Sequence, residues 1–286
     1  MRRLGYRLIS VFYTVAALSS PVIATPGTAA AATLPTFSHV VIVVEENRSQ
    51  ANIIDSPSAP FINALATGGA MMTQSFAEMH PSQPNYLALF AGNTFGVKTN
   101  DCPVNVGAQP NLASELLAAG HTFGGYAEGL PAVGSTVCFA GQYGRKHVPW
   151  VDFSNVPPSV SMPFSAFPAP GSYASLPTVS FVIPNNDNNM HDGSIAQGDA
   201  WLNQQLTPYA NWAKANNSLL IVTWDEDDGG PRNQIPTVFY GAHVRPGVYS
   251  ETISHYNVLS TLEQLYGLPK TGYAANAPAI ASIWGG

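Results

Sequence analysis

Phe37–Val44 reads F-S-H-V-V-I-V-V and runs straight into Glu45-Glu46-Asn47-Arg48-Ser49. A short β-branched run without polar alternation predicts a central strand covered on both faces. Ser218–Trp224, S-L-L-I-V-T-W, repeats the pattern and ends in Asp225-Glu226-Asp227-Asp228. Pro177–Ile183 is a third such run, closed by Pro184-Asn185-Asn186. Weaker strand signals lie at Ala70–Phe76, His121–Tyr126 and Ile235–Tyr240. Helical spacing marks Pro60–Ala66, Pro84–Phe90, Leu112–Ala119, Ala200–Ala215 and Asn257–Tyr266. Strands alternating with helices predict an α/β fold with a mostly parallel sheet. Such sheets bind ligands at the carboxyl ends of their strands, which is where the polar clusters fall.

The first 32 of the 286 residues stand apart. Arg2, Arg3 and Arg7 precede an apolar run from Leu8 to Leu18, and a small-residue stretch follows with A-x-A cleavage matches among Ala29–Ala32. That is the pattern of an export signal, too short to cross a bilayer comfortably. A secreted protein is therefore expected, with residues 33–286 as a single domain and no later transmembrane segment. Residues 129–176, rich in Pro, Gly and Ser, read as an irregular cap or loop. The chain carries 11 basic and 17 acidic residues, and without the three leading arginines the balance is 8 against 17. So acidic a protein is a poor nucleic-acid scaffold and a poor electrostatic binder of anionic lipid. Cys102 and Cys138, in an exported chain, are expected to form a disulfide.

Glu46-Asn47 and Asp225-Glu226 each follow a buried strand. If those strands are neighbours, three carboxylates and an amide oxygen converge, and a hard divalent cation is the natural partner. Glu45, Asp227 and Asp228 read as solvated loop carboxylates. Ser82, in His80-Pro81-Ser82-Gln83-Pro84-Asn85, lies at the start of the Pro84 helix, where free N–H groups and the positive dipole end suit a phosphate. It is either a helix cap or a nucleophile activated by a nearby metal; no G-x-S-x-G elbow surrounds it. His191, within Asn185–Gly193, could hold a phosphoryl oxygen or protonate a leaving group. His255 is a weaker candidate, and His147 and His243 lack a comparable setting.

Jointly, these motifs resemble the bacterial phosphoesterase family of acid phosphatases and phosphatidylcholine-type phospholipases C. The matching residues are Glu46-Asn47-Arg48-Ser49, His80–Tyr86 with Gly92, Met190–Gly193 with Gly198–Trp201, Thr223–Gly229, and His255-Tyr256. The resemblance implies an alkaline-phosphatase-like three-layer α/β sandwich. It implies metal binding by Glu46, Asn47, Asp225 and Glu226, with Ser82 as nucleophile, Asn85 cradling phosphate oxygens, and His191 and His255 assisting. One divalent ion is expected, because histidines for a second are few. The expected substrate is a phosphomonoester, with phosphatidylinositol 3-phosphate among the candidates. A phospholipase C-type phosphodiesterase and a non-catalytic binding protein are the alternatives. The chain ends soon after the His255 helix, which favours the monoesterase branch, and Asp227 stands where the family commonly has histidine.

Overall fold

The computed structural model describes residues 34–285, together with 1, 5 and 8–10. Apart from those five positions, the candidate export signal lies outside the described residues. In chain order the elements are β1 (His39–Glu45), α1 (Gln50–Ile53), α2 (Pro60–Gly68), β2 (Ala70–Phe76), α3 (Ser82–Ala91), α4 (Leu112–Ala118), β3 (Phe123–Ala127), β4 (Phe139–Ala140), β5 (Tyr143–Gly144), β6 (Ser161–Pro163), β7 (Val179–Ile183), α5 (Ile195–Ala215), β8 (Ser218–Trp224), β9 (Thr237–Gly241), β10 (Gly247–Ser254) and α6 (His255–Leu265).

Eight strands form one sheet in the order β10-β2-β9-β8-β1-β7-β3-β6. Only β9 runs antiparallel, against β2 and β8; every other neighbouring pair is parallel. β1 is flanked by β7 and β8, the other two uninterrupted apolar runs. Alternation along β1 feeds two cores. Val40, Ile42 and Val44 pack with α3, α4 and α6, while Val41 and Val43 pack with α2 and α5. The result is the expected three-layer α/β architecture, because strands apolar on both faces must be covered on both.

Two elements depart from the sequence reading. β10, with alternate residues exposed, carries too little apolar signal to stand out. The 129–176 segment, expected to be wholly irregular, supplies the edge strand β6 and the two-stranded hairpin β4–β5. Several 3₁₀ turns fill the rest, one of them at Arg145–His147. A disulfide joins Cys102 to Cys138, as expected. Among the described residues, no helix is long and apolar enough to cross a membrane.

Candidate active site

Register brings the first acidic pairs together. Glu45 lies opposite Trp224 across the β1–β8 ladder, so the next residues, Glu46 and Asp225, leave the sheet side by side. Asp225 N–H donates to Glu45 O at 3.0 Å, and Glu46 N–H donates to Asn189 O at 2.8 Å. The second bond ties the loop after β7 to the same edge. Asn47, in the left-handed region at φ 54°, donates its N–H to Asp225 Oδ1 at 3.2 Å. Asn is among the residues that tolerate this conformation.

Ser82 is the first residue of α3, and its Oγ lies 3.0 Å from Glu46 Oε2 and 3.0 Å from Glu226 Oε1. A hydroxyl has one proton to donate, so two ionised carboxylates cannot both be satisfied by it. Asp225 Oδ2 is buried with no partner at all. Burial pushes the Asp225 carboxyl well up, and Glu46 and Glu226 push it further. Burial also raises Glu46, against hydrogen bonding from the Tyr86 hydroxyl and the charge of Lys146. A buried cluster of carboxylates with an orphaned oxygen fits a hard cation. Glu46, Asn47, Asp225 and Glu226 are the oxygen donors that would hold it.

Glu46 Oε1 faces a second set of groups. It accepts from Tyr86 Oη at 2.5 Å and lies 3.0 Å from His147 Nε2, which is not aligned for a hydrogen bond. Burial drives the His147 pKa well down, helped by Lys146 and His191. Glu46, His147 and His191 bring donor atoms within 4.8 Å of one another, a grouping with metal-ligand chemistry. Lys146 Nζ lies 3.1 Å from His191 Nε2, and His191 Nδ1 lies 2.7 Å from Asp192 Oδ1. An ammonium can only donate, so Nε2 accepts and the Nδ1 hydrogen goes to Asp192.

His80 Nδ1 pairs with Glu226, and its Nε2 lies 3.5 Å from Asp227 Oδ1. A cleft with a volume of about 450 Å³ is lined by Asn47, Arg48, His80, Pro81, His191, Glu226 and Asp227, among others.

Several expectations need correction. Asn85 is fully buried, and its side chain is spent on the turn before α3. Oδ1 accepts from Glu78 and Met79 N–H at 3.0 Å each, and Nδ2 donates to Met79 O and Pro81 O. It shapes the turn carrying His80 and Ser82 and has no polar group left for a phosphate. His255 is also buried; its Nε2–H donates to Trp224 O at 2.9 Å, and burial lowers its pKa to about 4. It steadies the strand end before Asp225 and does not line the cleft. Glu45 and Asp227 are not solvated carboxylates. Glu45 is buried with both oxygens unpartnered, and Asp227 Oδ1 accepts from Gly229 and Gly230 N–H. The exposed Asp228 is as expected, taking Asn52 Nδ2 at 2.7 Å.

His147, set aside in the sequence reading, sits beside Glu46, and Lys146, Tyr86 and His80 join it. Lys146 and His147 come from the segment read as featureless cap, and the partners that reveal them are about 45 to 100 residues away in the chain.

Residues 54–269 match the phosphoesterase family. The chain belongs to that family. It is 74% identical over 283 residues to the phosphatidylinositol-3-phosphatase of Mycobacterium tuberculosis, covering 98% of this chain and 95% of that one. It is 30% identical over 228 residues to the phosphate-repressible acid phosphatase of Penicillium chrysogenum, covering 74% of this chain and 55% of the fungal one. In fold it resembles an alkaline phosphatase superfamily protein from Vibrio parahaemolyticus, with TM-score 0.59 at 13% identity over 87% of this chain and 72% of that one. It also resembles the lipoteichoic acid synthase LtaP of Listeria monocytogenes, with TM-score 0.61 at 12% identity over 83% and 74% of the two chains. The alkaline-phosphatase-like fold thus stands beside the family match.

Proposed function

We propose that this phosphoesterase is a secreted phosphomonoesterase in which Ser82 attacks phosphorus and one divalent cation assists, with phosphatidylinositol 3-phosphate as a substrate. The observation that carries the reading is Ser82 Oγ at 3.0 Å from both Glu46 Oε2 and Glu226 Oε1. No helix cap needs two carboxylates. They give the hydroxyl proton a destination as the oxygen bonds to phosphorus and the bond to the leaving oxygen breaks. The substrate assignment is supported by the 74% identity to a phosphatidylinositol-3-phosphatase. Secretion is supported by the leader pattern and the disulfide.

A cation bound by Glu46, Asn47, Asp225 and Glu226 would supply Lewis acidity and neutralise phosphoryl charge. The chain's own residues do the rest. Asn85 fixes the turn so that Ser82 emerges at the positive end of α3. Lys146 presents a cation beside His191, within electrostatic reach of Glu46, where a phosphomonoester dianion would need one. His80, partly exposed between Glu226 and Asp227, can return a proton to the departing alkoxide. A water then releases phosphate from Ser82.

The test is phosphate release from an aryl phosphomonoester by wild type and Ser82→Ala, from about pH 4 to about pH 8, with and without chelator. Loss of turnover by at least about a thousandfold in a folded variant is expected. Full activity in that variant would refute the serine, and release from diesters alone would move the reaction to the phosphodiesterase class.

A further inference from the structure

Residues 129–144 contain no charged side chain. Within them lie Val133, Val137 and Phe139, exposed by 57%, 43% and 65%. Between residues 34 and 285 the exposed large apolar residues are these three with Leu117, Val248 and Tyr273, so half of them fall within seven positions. Clustered exposed apolar side chains mark an interaction surface; scattered ones do not.

This surface is tied down by hydrogen bonds and a disulfide and lies beside the site. Gly134 N–H donates to Ser161 O, Arg145 N–H to Cys138 O, and Asn186 N–H to Gln142 O. The disulfide to Cys102 anchors the same stretch, and the Arg145 guanidinium holds Thr136 O at 3.0 Å. Phe139 lies opposite Gly144 in the β4–β5 hairpin, with Cα atoms about 5 Å apart. Cross-strand partners share a face. A Cβ on Gly144 would point at His147 Nδ1 and Lys146 Cγ at 3.7 Å and at Asn186 Oδ1 at 3.8 Å. Phe139 therefore leaves the hairpin on the face that looks toward Lys146 and His147, and the glycine opposite leaves its ring uncovered.

We infer that the 133–139 segment is a membrane-docking lip, in which Phe139, Val137 and Val133 enter the headgroup–acyl boundary of a bilayer and bring a lipid phosphomonoester to the site beside Lys146. The inference rests on the phosphoinositide reading above. The occupant is a bilayer because the segment is uncharged while the chain outside the leader is strongly acidic. Docking must then come from apolar insertion, which needs no anionic lipid and persists in salt.

The experiment compares wild type, Phe139→Ser, Phe139→Trp and Val248→Ser on a soluble short-chain phosphatidylinositol 3-phosphate and on its long-chain form in phosphatidylcholine vesicles. Flotation with plain phosphatidylcholine vesicles at low and high salt accompanies it. Phe139→Ser should lower the vesicle-to-soluble rate ratio about tenfold. Phe139→Trp should keep or raise it, Val248→Ser should leave it unchanged, and wild-type flotation should survive salt. An unchanged ratio in Phe139→Ser, or flotation abolished by salt, overturns the lip. If wild type hydrolyses neither lipid, the phosphoinositide reading fails separately, and flotation of wild type against Phe139→Ser still decides the docking.

Discussion

Replacing Arg145 with methionine should destabilise the protein in a way that depends on pH. The buried guanidinium donates to Thr136 O at 3.0 Å, Val104 O at 3.1 Å, Val151 O at 3.3 Å and Asp152 Oδ1 at 3.0 Å. Methionine fills similar space and donates to none of them. Three backbone carbonyls lose a partner, at about 1 kcal/mol each. The fourth loss is electrostatic. Burial pushes the Asp152 carboxyl up to about 6, while the charge and hydrogen bond of Arg145 hold it down. Without Arg145 it rises further, so near pH 7.5 the variant forfeits the ionised form that wild type keeps. That is about 1.5 pH units above the wild-type value, or roughly 2 kcal/mol. Near pH 5 Asp152 is protonated in both proteins and this part vanishes. The sign follows from linkage: the folded pKa lies above the unfolded one, so Asp152 adds stability as pH falls from about 6 toward 3.8. Urea unfolding with the disulfide intact should give a loss of about 5 kcal/mol near pH 7.5 and about 3 near pH 5. Equal losses at the two pH values would refute the charge argument, and a loss under about 1 kcal/mol would refute the whole account. Lys146 and His147 follow Arg145 directly, so turnover of the folded variant should fall as well.

Replacing Cys102 and Cys138 with serine should lower stability by about 3–4 kcal/mol, seen as an earlier urea midpoint. His255, with its pKa about 4 against 6.5 in the open chain, makes folding less favourable as pH drops through that interval, by at most about 3 kcal/mol. His255→Gln should flatten the acid side of the melting-temperature profile, and an unchanged slope would count against its buried neutral state. Chelation should abolish turnover and a divalent cation restore it, with Asp225→Asn raising the cation concentration for half-activity at least about tenfold; an unshifted titration would remove Asp225 from the binding set.

The central sheet was legible because β1, β7 and β8 are apolar on both faces, which leaves few alternatives to burial. Glu46 and Asp225 were legible for the same reason, since each follows such a strand directly. Ser82 was legible through the proline two residues later and through the family resemblance. The outer edges were harder: β10 alternates exposure, and β6 is three residues long. His147 and Lys146 sit on a 3₁₀ turn inside a Pro- and Gly-rich stretch, and no local pattern reports that the turn folds back onto Glu46. Asn85 and His255 misled because a buried polar side chain that organises backbone looks, in sequence, like one that meets substrate.

Glu45 and Glu46 are chemically the same residue type, yet one ends buried without a partner and the other meets Ser82, Tyr86 and His147. Only the pleat distinguishes them. Deleting a single residue within Val40–Val44 would move Glu46 into the place of Glu45, Glu45 into that of Val44, and flip the slipped part of β1 to the opposite face. The segment before β7 has no such constraint, since irregular backbone absorbs a change of length. Within this family, then, gaps and insertions should gather between 167 and 172, past β6, and be purged from β1, even where substitutions in β1 are tolerated. What is inherited at that strand is its count of residues as much as their identity.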